Sequence, residues 1–276
     1  MAAPALSIYA CVGEALRFAR ANWRFVLAVA ALGALGQTAL LLLLGAVPPL
    51  LLVGLLLASI AVHAGLTRAA LSGVDSVRGK IGADLRNGGI AMGIVGFLFA
   101  IVAIVLAYGA MAVLIAPYAE QAQAVKENEA ALRALMERAV SEQSNVLIWS
   151  MIVGFAVLLL LTSRLYLALP ASIDRGRVMV FETWTWTKGA LLRIAGARLL
   201  LLGPALIFVG ALQSLVGMAM GLGVRDPVAL AQSAQANPAA FLFFFTTALF
   251  VQIAIYTALE AGLSTSLYKA LKPQTA

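Results

Sequence analysis

The chain has 276 residues, of which 63% are hydrophobic and only 11% are charged, and its formal net charge is +7. Soluble globular domains carry roughly twice that share of charged residues, so the composition excludes an ordinary water-soluble protein. The single cysteine, Cys11, excludes an internal disulfide and any metal site built from several thiolates.

Long apolar runs indicate that the surrounding solvent is a lipid bilayer. Residues 25–44 and 239–259 contain no charged side chain and are long enough to cross a hydrocarbon layer of about 30 Å. Lipid cannot satisfy backbone N–H and C=O groups, so the spanning segments must be helices or a closed barrel. Continuous apolar runs without period-two alternation favour helices. The predicted fold class is therefore all-α, a polytopic membrane helical bundle.

Six transmembrane helices are predicted, in a single transmembrane domain that covers residues 1–276. Their expected ranges are 25–44, 49–70, 89–116, 146–168, 199–222 and 239–262. The helices pair as three hairpins, and the first turn is placed at Pro48 and Pro49 because proline suits a helix start but not its interior. Residues 7–22 and 178–198, which mix apolar, aromatic and basic side chains before a span, are predicted to be interfacial helices on the cytoplasmic side.

The positions of lysine and arginine predict the orientation of the spans. With the N-terminus inside, only Lys126, Arg133, Arg138 and Arg225 of the 19 basic residues fall on the outer side. Basic residues beside spans are retained in the cytoplasm, so both termini are predicted to be cytoplasmic.

The longest external segment, residues 118–145, is predicted to form one amphipathic helix. Its apolar residues recur at helical spacing, namely Leu132, Leu135, Met136, Ala139 and Val140. A cap on the external mouth of the bundle is the simpler interpretation, and a binding role is the alternative.

Aromatic and basic residues before the fifth span predict contact with lipid headgroups. Trp184 and Trp186 have amphipathic rings suited to the headgroup layer. Lys188, Arg193 and Arg198 can reach anionic lipid phosphates, and the preceding Arg164 is a further candidate for headgroup contact. Generic anchoring explains these residues, and a specific lipid site is the alternative.

A short internal repeat relates His63 to Glu260. Residues 63–67 (HAGLT) match residues 260–264 (EAGLS) at the inward ends of the second and sixth spans. The repeat places the two ionisable side chains at equivalent depths, where they can face a common interior. A pair of this kind would be a proton-sensitive link of the sort that proton-coupled carriers use. The alternatives are a polar contact that fixes helix register, or two unrelated residues near the interface.

Motifs of catalysis are missing from the sequence. It contains no glycine-framed nucleophile, no paired intramembrane aspartates, no HExxH and no phosphate-binding glycine loop. We therefore expect no enzymatic activity, no cofactor and no metal. Since the basic residues lie beside the membrane, nucleic acid is not an expected partner, whereas membrane lipids, other membrane proteins or a second copy of the chain are.

Two segments carry a resemblance to a known family. RLYLALPA (164–171) and TWTWTKG (183–189) resemble the YciC-like and glycerophosphoryl diester phosphodiesterase membrane-domain group of bacterial six-span proteins. The resemblance implies a multi-pass protein of the bacterial inner membrane without catalysis, because the phosphodiesterase of that name is a separate soluble barrel domain. The chain departs from the group at Thr183, where serine is usual, and in its long external segment.

Two hypotheses about function follow. The first is a non-enzymatic scaffold or lipid-holding accessory in envelope homeostasis, which rests on anchoring features without catalytic ones. The alternative is a small permease or proton-coupled carrier that uses Glu260 and His63. A hydrated cavity reaching the middle of the membrane would favour the carrier, whereas a close-packed interior would favour the scaffold.

Overall fold

The computed structural model describes residues 7–126, 128–224 and 226–273, with the backbone alone at 227 and 228. These ranges contain no β-strand and form thirteen α-helices. The helices are α1 (Ile8–Ala21), α2 (Trp23–Leu44), α3 (Pro48–Ser72), α4 (Ile81–Ile115), α5 (Ala119–Ala124), α6 (Glu129–Glu142), α7 (Ser144–Leu165), α8 (Ala168–Arg175), α9 (Phe181–Trp186), α10 (Leu191–Ala219), α11 (Pro227–Ala236), α12 (Pro238–Val251) and α13 (Ala258–Leu271).

Six helical stretches are long and apolar enough to cross a bilayer, which confirms the predicted all-α polytopic fold. They are Trp23–Leu44, Pro48–Ser72, Ile81–Ala124, Ser144–Arg175, Leu191–Ala219 and Pro238–Leu271. The first turn is as predicted, since α2 ends at Leu44 and Pro48 occupies the first position of α3.

The chain forms two compact units, and the single transmembrane domain over residues 1–276 stays a prediction. Unit 1 comprises residues 1–93 and 164–276, and unit 2 comprises residues 94–163. The division falls within α4 and near the end of α7.

The main core of unit 1 lies where α1, α10 and α13 pack together with the segment around α8. Its fully buried members include Ala15, Leu167, Ile194, Leu263 and Tyr268. The predicted interfacial segment 7–22 contains α1, whose first turn is capped by the Ser7 hydroxyl. One face of α1 is buried against protein, so this helix is an integral part of the bundle.

A close approach between α1 and α13 depends on Gly262. A Cβ atom at this position would lie 3.0 Å from the Cα atom and 3.2 Å from the carbonyl oxygen of Ala15. Any larger residue would therefore meet backbone atoms, which cannot move aside as a flexible side chain can. Glycine at 262 thus sets the distance between the two helices.

Three helices extend beyond the predicted spans. Helix α4 begins at Ile81, where the prediction began at 89, and α10 begins at Leu191, where it began at 199. In the sixth span the helix continues to Leu271. The predicted ranges were drawn from hydropathy, which leaves out helical turns that contain charged residues. The structure includes those turns because protein contacts compensate the charges, as at Asp84.

Unit 2 consists of the remainder of α4 and α7 together with α5 and α6. The prediction of one continuous helix over 118–145 was wrong, because α5 ends at Ala124 and α6 starts at Glu129. Asn128 caps α6, and its side-chain oxygen accepts a hydrogen bond from the Ala131 N–H at 3.1 Å. A capping residue has non-helical backbone angles, so a helix cannot continue through it.

Hydrogen bonds to Glu142 connect the two ends of this external segment. The Tyr118 hydroxyl donates to Oε2 of Glu142 at 2.5 Å, and the Arg138 Nε donates to Oε1 at 2.7 Å. The bond from Tyr118, followed by that from Arg138, lowers the pKa of Glu142 below its ordinary value. The stabilisation from these bonds is therefore present at neutral pH and is lost as the pH falls through the lowered pKa.

We expect Gly262→Ala to destabilise unit 1, because its methyl group meets the backbone of α1. Overpacking of this kind lowers the free energy of unfolding by about 1–3 kcal/mol. The matched control is Gly210→Ala in α10, where a Cβ atom meets nothing within 4 Å. That change is expected to be neutral or stabilising by up to about 1 kcal/mol. Unfolding in detergent micelles measures both, and equal effects would contradict the α1–α13 contact.

Candidate functional site

Helices α3 and α13 bring His63 and Glu260 together. The Nε2 atom of His63 lies 3.7 Å from Oε2 of Glu260, and 13% and 22% of the two side chains are exposed. This distance is too long for a strong hydrogen bond but short enough for an electrostatic interaction. The structure thus pairs the two residues, while a proton-sensitive role for the pair stays a prediction.

A π-helical segment, Gln252–Thr257, precedes α13 and affects the direction in which Glu260 points. The Thr257 hydroxyl donates to the carbonyl oxygen of Gln252 at 3.4 Å. One residue added to a helical turn rotates everything that follows by about 100°. The π segment packs against α2 and α10, so its position is fixed within unit 1. Such segments occur frequently at functional sites.

Two tyrosines and an arginine complete a polar cluster around this pair. The Tyr166 hydroxyl donates to the carbonyl oxygen of Glu260 at 3.4 Å, and the Arg198 guanidinium lies 4.5 Å from the Tyr166 ring centre. Tyr166 and Tyr256 both pack against the main core of unit 1. We define His63, Tyr166, Arg198, Tyr256 and Glu260 as the polar cluster.

The polar cluster can hold a carboxylate inside a membrane span without leaving its charge uncompensated. Charged side chains within spans are costly unless they face a partner or water. His63 lies beside Glu260, and Arg198 lies over the ring of Tyr166, whose hydroxyl contacts the Glu260 backbone. The cluster can therefore stabilise a fixed helix arrangement. Within the described ranges, no three His, Cys, Asp or Glu residues come together as a metal site.

A buried ion pair that the sequence analysis missed joins α3 to α4. The Arg68 Nε donates to Oδ2 of Asp84 at 2.7 Å, and its Nη2 donates to the other carboxylate oxygen. The same Nη2 donates to the carbonyl oxygen of Ile173 in α8 at 3.0 Å. Only 10% of the Arg68 side chain and 5% of the Asp84 side chain are exposed. The sequence did contain a signal for this pair, because an arginine lies near the end of one span and an aspartate lies near the start of the next helix.

Three of the predicted headgroup contacts are exposed. Trp184, Lys188 and Arg193 present their side chains at the surface of unit 1. The guanidinium carbon of Arg164 lies 5.4 Å from the Trp184 ring centre, in the geometry of a cation–π contact. Arg164 and Trp184 therefore pack together, with the Trp184 ring exposed and one guanidinium nitrogen of Arg164 buried.

Trp186, which was also predicted to contact headgroups, packs against another aromatic ring. Its ring is partly buried and lies 6.2 Å from the Tyr268 ring, centre to centre. The Tyr268 hydroxyl donates to Asp174 at 2.7 Å, and Lys272 lies 3.5 Å from the same carboxylate. Trp186 thus packs on the buried Tyr268. Residues two apart on a helix point in different directions, so Trp184 and Trp186 of α9 have different surroundings.

No protein-family model, curated protein or solved structure matches this chain. Two features of unit 1 remain as guides to function. They are the polar cluster inside the helices and the exposed aromatic and cationic side chains around Trp184.

Proposed function

We propose that this chain is a multi-pass protein of the bacterial inner membrane that acts without catalysis, as a scaffold or lipid-holding accessory in envelope homeostasis. The observation that carries the proposal is the stacking of Arg164 on Trp184, with Lys188 and Arg193 exposed nearby in sequence. Aromatic rings and cations at the ends of spans interact with the headgroup layer and with anionic lipids.

We also propose that the chain belongs to the YciC-like membrane-domain group, on the two segments that carry the resemblance. The Thr187 hydroxyl, in the second segment, donates to the carbonyl oxygen of Arg164, in the first, at 3.1 Å. The Arg164 guanidinium also lies on Trp184 of the second segment. The two stretches of sequence therefore form one local structure, which gives their joint occurrence a physical reason.

We further propose that both termini lie in the cytoplasm. The distribution of lysine and arginine supports this orientation. Helix α1 packs along α13, so the helices nearest the two ends of the chain lie side by side in unit 1. This packing is consistent with termini on one face of the membrane.

The lipid-holding role predicts that Lys188→Gln combined with Arg193→Gln weakens the binding of phosphatidylglycerol. Each cation near an anionic surface contributes about 1 kcal/mol, so the double variant should lose roughly 2 kcal/mol. Native mass spectrometry with added phosphatidylglycerol measures the change. Arg133→Gln, an exposed arginine of unit 2, is the matched control. Equal losses in the variant and the control would contradict the proposed surface.

A proton-coupled carrier is the second candidate, and the pairing of His63 with Glu260 is the observation that favours it. In a carrier, a proton would move between these side chains and water as the protein changes conformation. Neighbours of the pair favour the scaffold, because Ala64, Leu66 and Ala261 are completely buried. Close packing of this kind suits a contact that fixes helix register.

Side-specific thiol labelling in membrane vesicles separates the two candidates. Single cysteines replace His63 or Glu260 in a Cys11→Ser background, and a small charged thiol reagent is added on one side at a time. The scaffold predicts protection at both positions from both sides, because packed side chains leave no water path. A cysteine in place of the exposed Lys188 is the positive control and also reports the cytoplasmic side. Rapid labelling at both test positions would overturn the scaffold in favour of the carrier.

A further inference from the structure

A cavity of about 390 Å³ lies between α1, α3 and α13, apart from the polar cluster and from the Trp184 surface. It is near the ends of α3 and α13, because Ala70 and Lys269 line it while those helices end at Ser72 and Leu271. Its depth therefore corresponds to the headgroup layer rather than to the centre of the bilayer.

One wall of this cavity offers hydrogen-bond donors. The Lys269 ammonium group donates to the Ala70 carbonyl oxygen at 3.0 Å, which occupies one of its three N–H donors. Ser266 lines the cavity beside it. Thr265, which is only 2% exposed, also lines it, and its Oγ1 atom has no hydrogen-bond partner within the described part of the chain. A buried hydroxyl without a partner is costly, so a ligand that accepts its hydrogen bond would be favoured.

The charged side chains that line the cavity favour a negatively charged ligand. Glu14 is the single acid among its described lining residues, and Arg17 binds this carboxylate at 2.7 Å. The Lys269 ammonium therefore remains the dominant charge beside the two hydroxyls. Ammonium and hydroxyl donors together are the usual partners of phosphate oxygens.

Apolar side chains that also line the cavity point to a lipid as the source of that phosphate. Phe18 of α1 and the methyl groups of Ala10 and Ala270 line this part of the cavity. A free phosphate ion would leave these groups without contacts, whereas the glycerol backbone and the first acyl carbons of a phospholipid would cover them.

We propose that this cavity binds the phosphodiester headgroup of an anionic phospholipid. Lys269 pairs with the phosphate, and the Ser266 and Thr265 hydroxyls donate hydrogen bonds to its oxygens. Phe18 contacts the apolar part of the lipid. The site rests on the proposed association with lipids and adds to it a discrete position and a headgroup class.

Cys11 provides a reporter for this site that needs no substitution. It is the only cysteine of the chain, it lines the cavity, and it is 5% exposed. The measurement is the rate of its alkylation by N-ethylmaleimide in nanodiscs of phosphatidylcholine, with or without phosphatidylglycerol. We expect phosphatidylglycerol to slow alkylation about tenfold, which corresponds to a site roughly nine-tenths occupied.

Lys269→Gln should abolish this protection, while Lys80→Gln, an exposed lysine outside the cavity, should retain it. Both proteins share the same anionic bilayer, so its surface charge affects both rates alike. Should Lys269→Gln fail to fold, Ser266→Ala and Thr265→Val test the same contacts, each with an expected partial loss of protection. Protection that persists in every folded cavity variant would overturn the site.

Two further outcomes bear on the source of the ligand and on the wider proposal. Full protection by inorganic phosphate in phosphatidylcholine nanodiscs would overturn the assignment to a lipid. Unchanged Cys11 rates combined with retained phosphatidylglycerol in native mass spectrometry would overturn the cavity site alone. Loss of both signals would overturn the proposed lipid association as well.

Discussion

Unit 1 depends on each buried charge having a partner within the protein, and the ion pair between Arg68 and Asp84 is the main example. In or beside a bilayer little water reaches a charged side chain, so the protein must supply its partner. Arg68 at the end of α3 binds both carboxylate oxygens of Asp84 in α4 and the carbonyl oxygen of Ile173 in α8. One side chain thus joins three helices. Removal of either charge would leave the other buried and unpaired.

The same constraint explains the polar cluster and the cavity beside α1. Glu260 lies beside His63 and Tyr166 because an isolated carboxylate within a span would be costly. Lys269 lies near the ends of α3 and α13, where its ammonium group donates to the Ala70 carbonyl oxygen. Interior charges therefore stabilise the helix arrangement, and the proposed association with lipids would use the charges at the helix ends.

Much of the fold could be predicted because hydropathy reports directly on burial in lipid. The six spans and the turn at Pro48 needed no knowledge of tertiary contacts, and the repeat placed His63 and Glu260 at matching depths. The π segment before α13, the break at Asn128 and the pairing of Asp84 could not be predicted in this way. Each depends on a partner that is distant in sequence, or on a local hydrogen bond that competes with regular helix. Orientation, family membership and lipid binding stay predictions.

A double-mutant cycle on Arg68→Met and Asp84→Leu tests most directly whether paired interior charges hold unit 1 together. Each single variant is expected to lower the free energy of unfolding in micelles by about 3–5 kcal/mol, and the double variant should lose much less than the sum. The exposed pair Arg133 and Glu137, 3.4 Å apart, should show coupling below about 1 kcal/mol in the same assay. Additive losses at Arg68 and Asp84, with coupling no larger than at the exposed pair, would contradict the account.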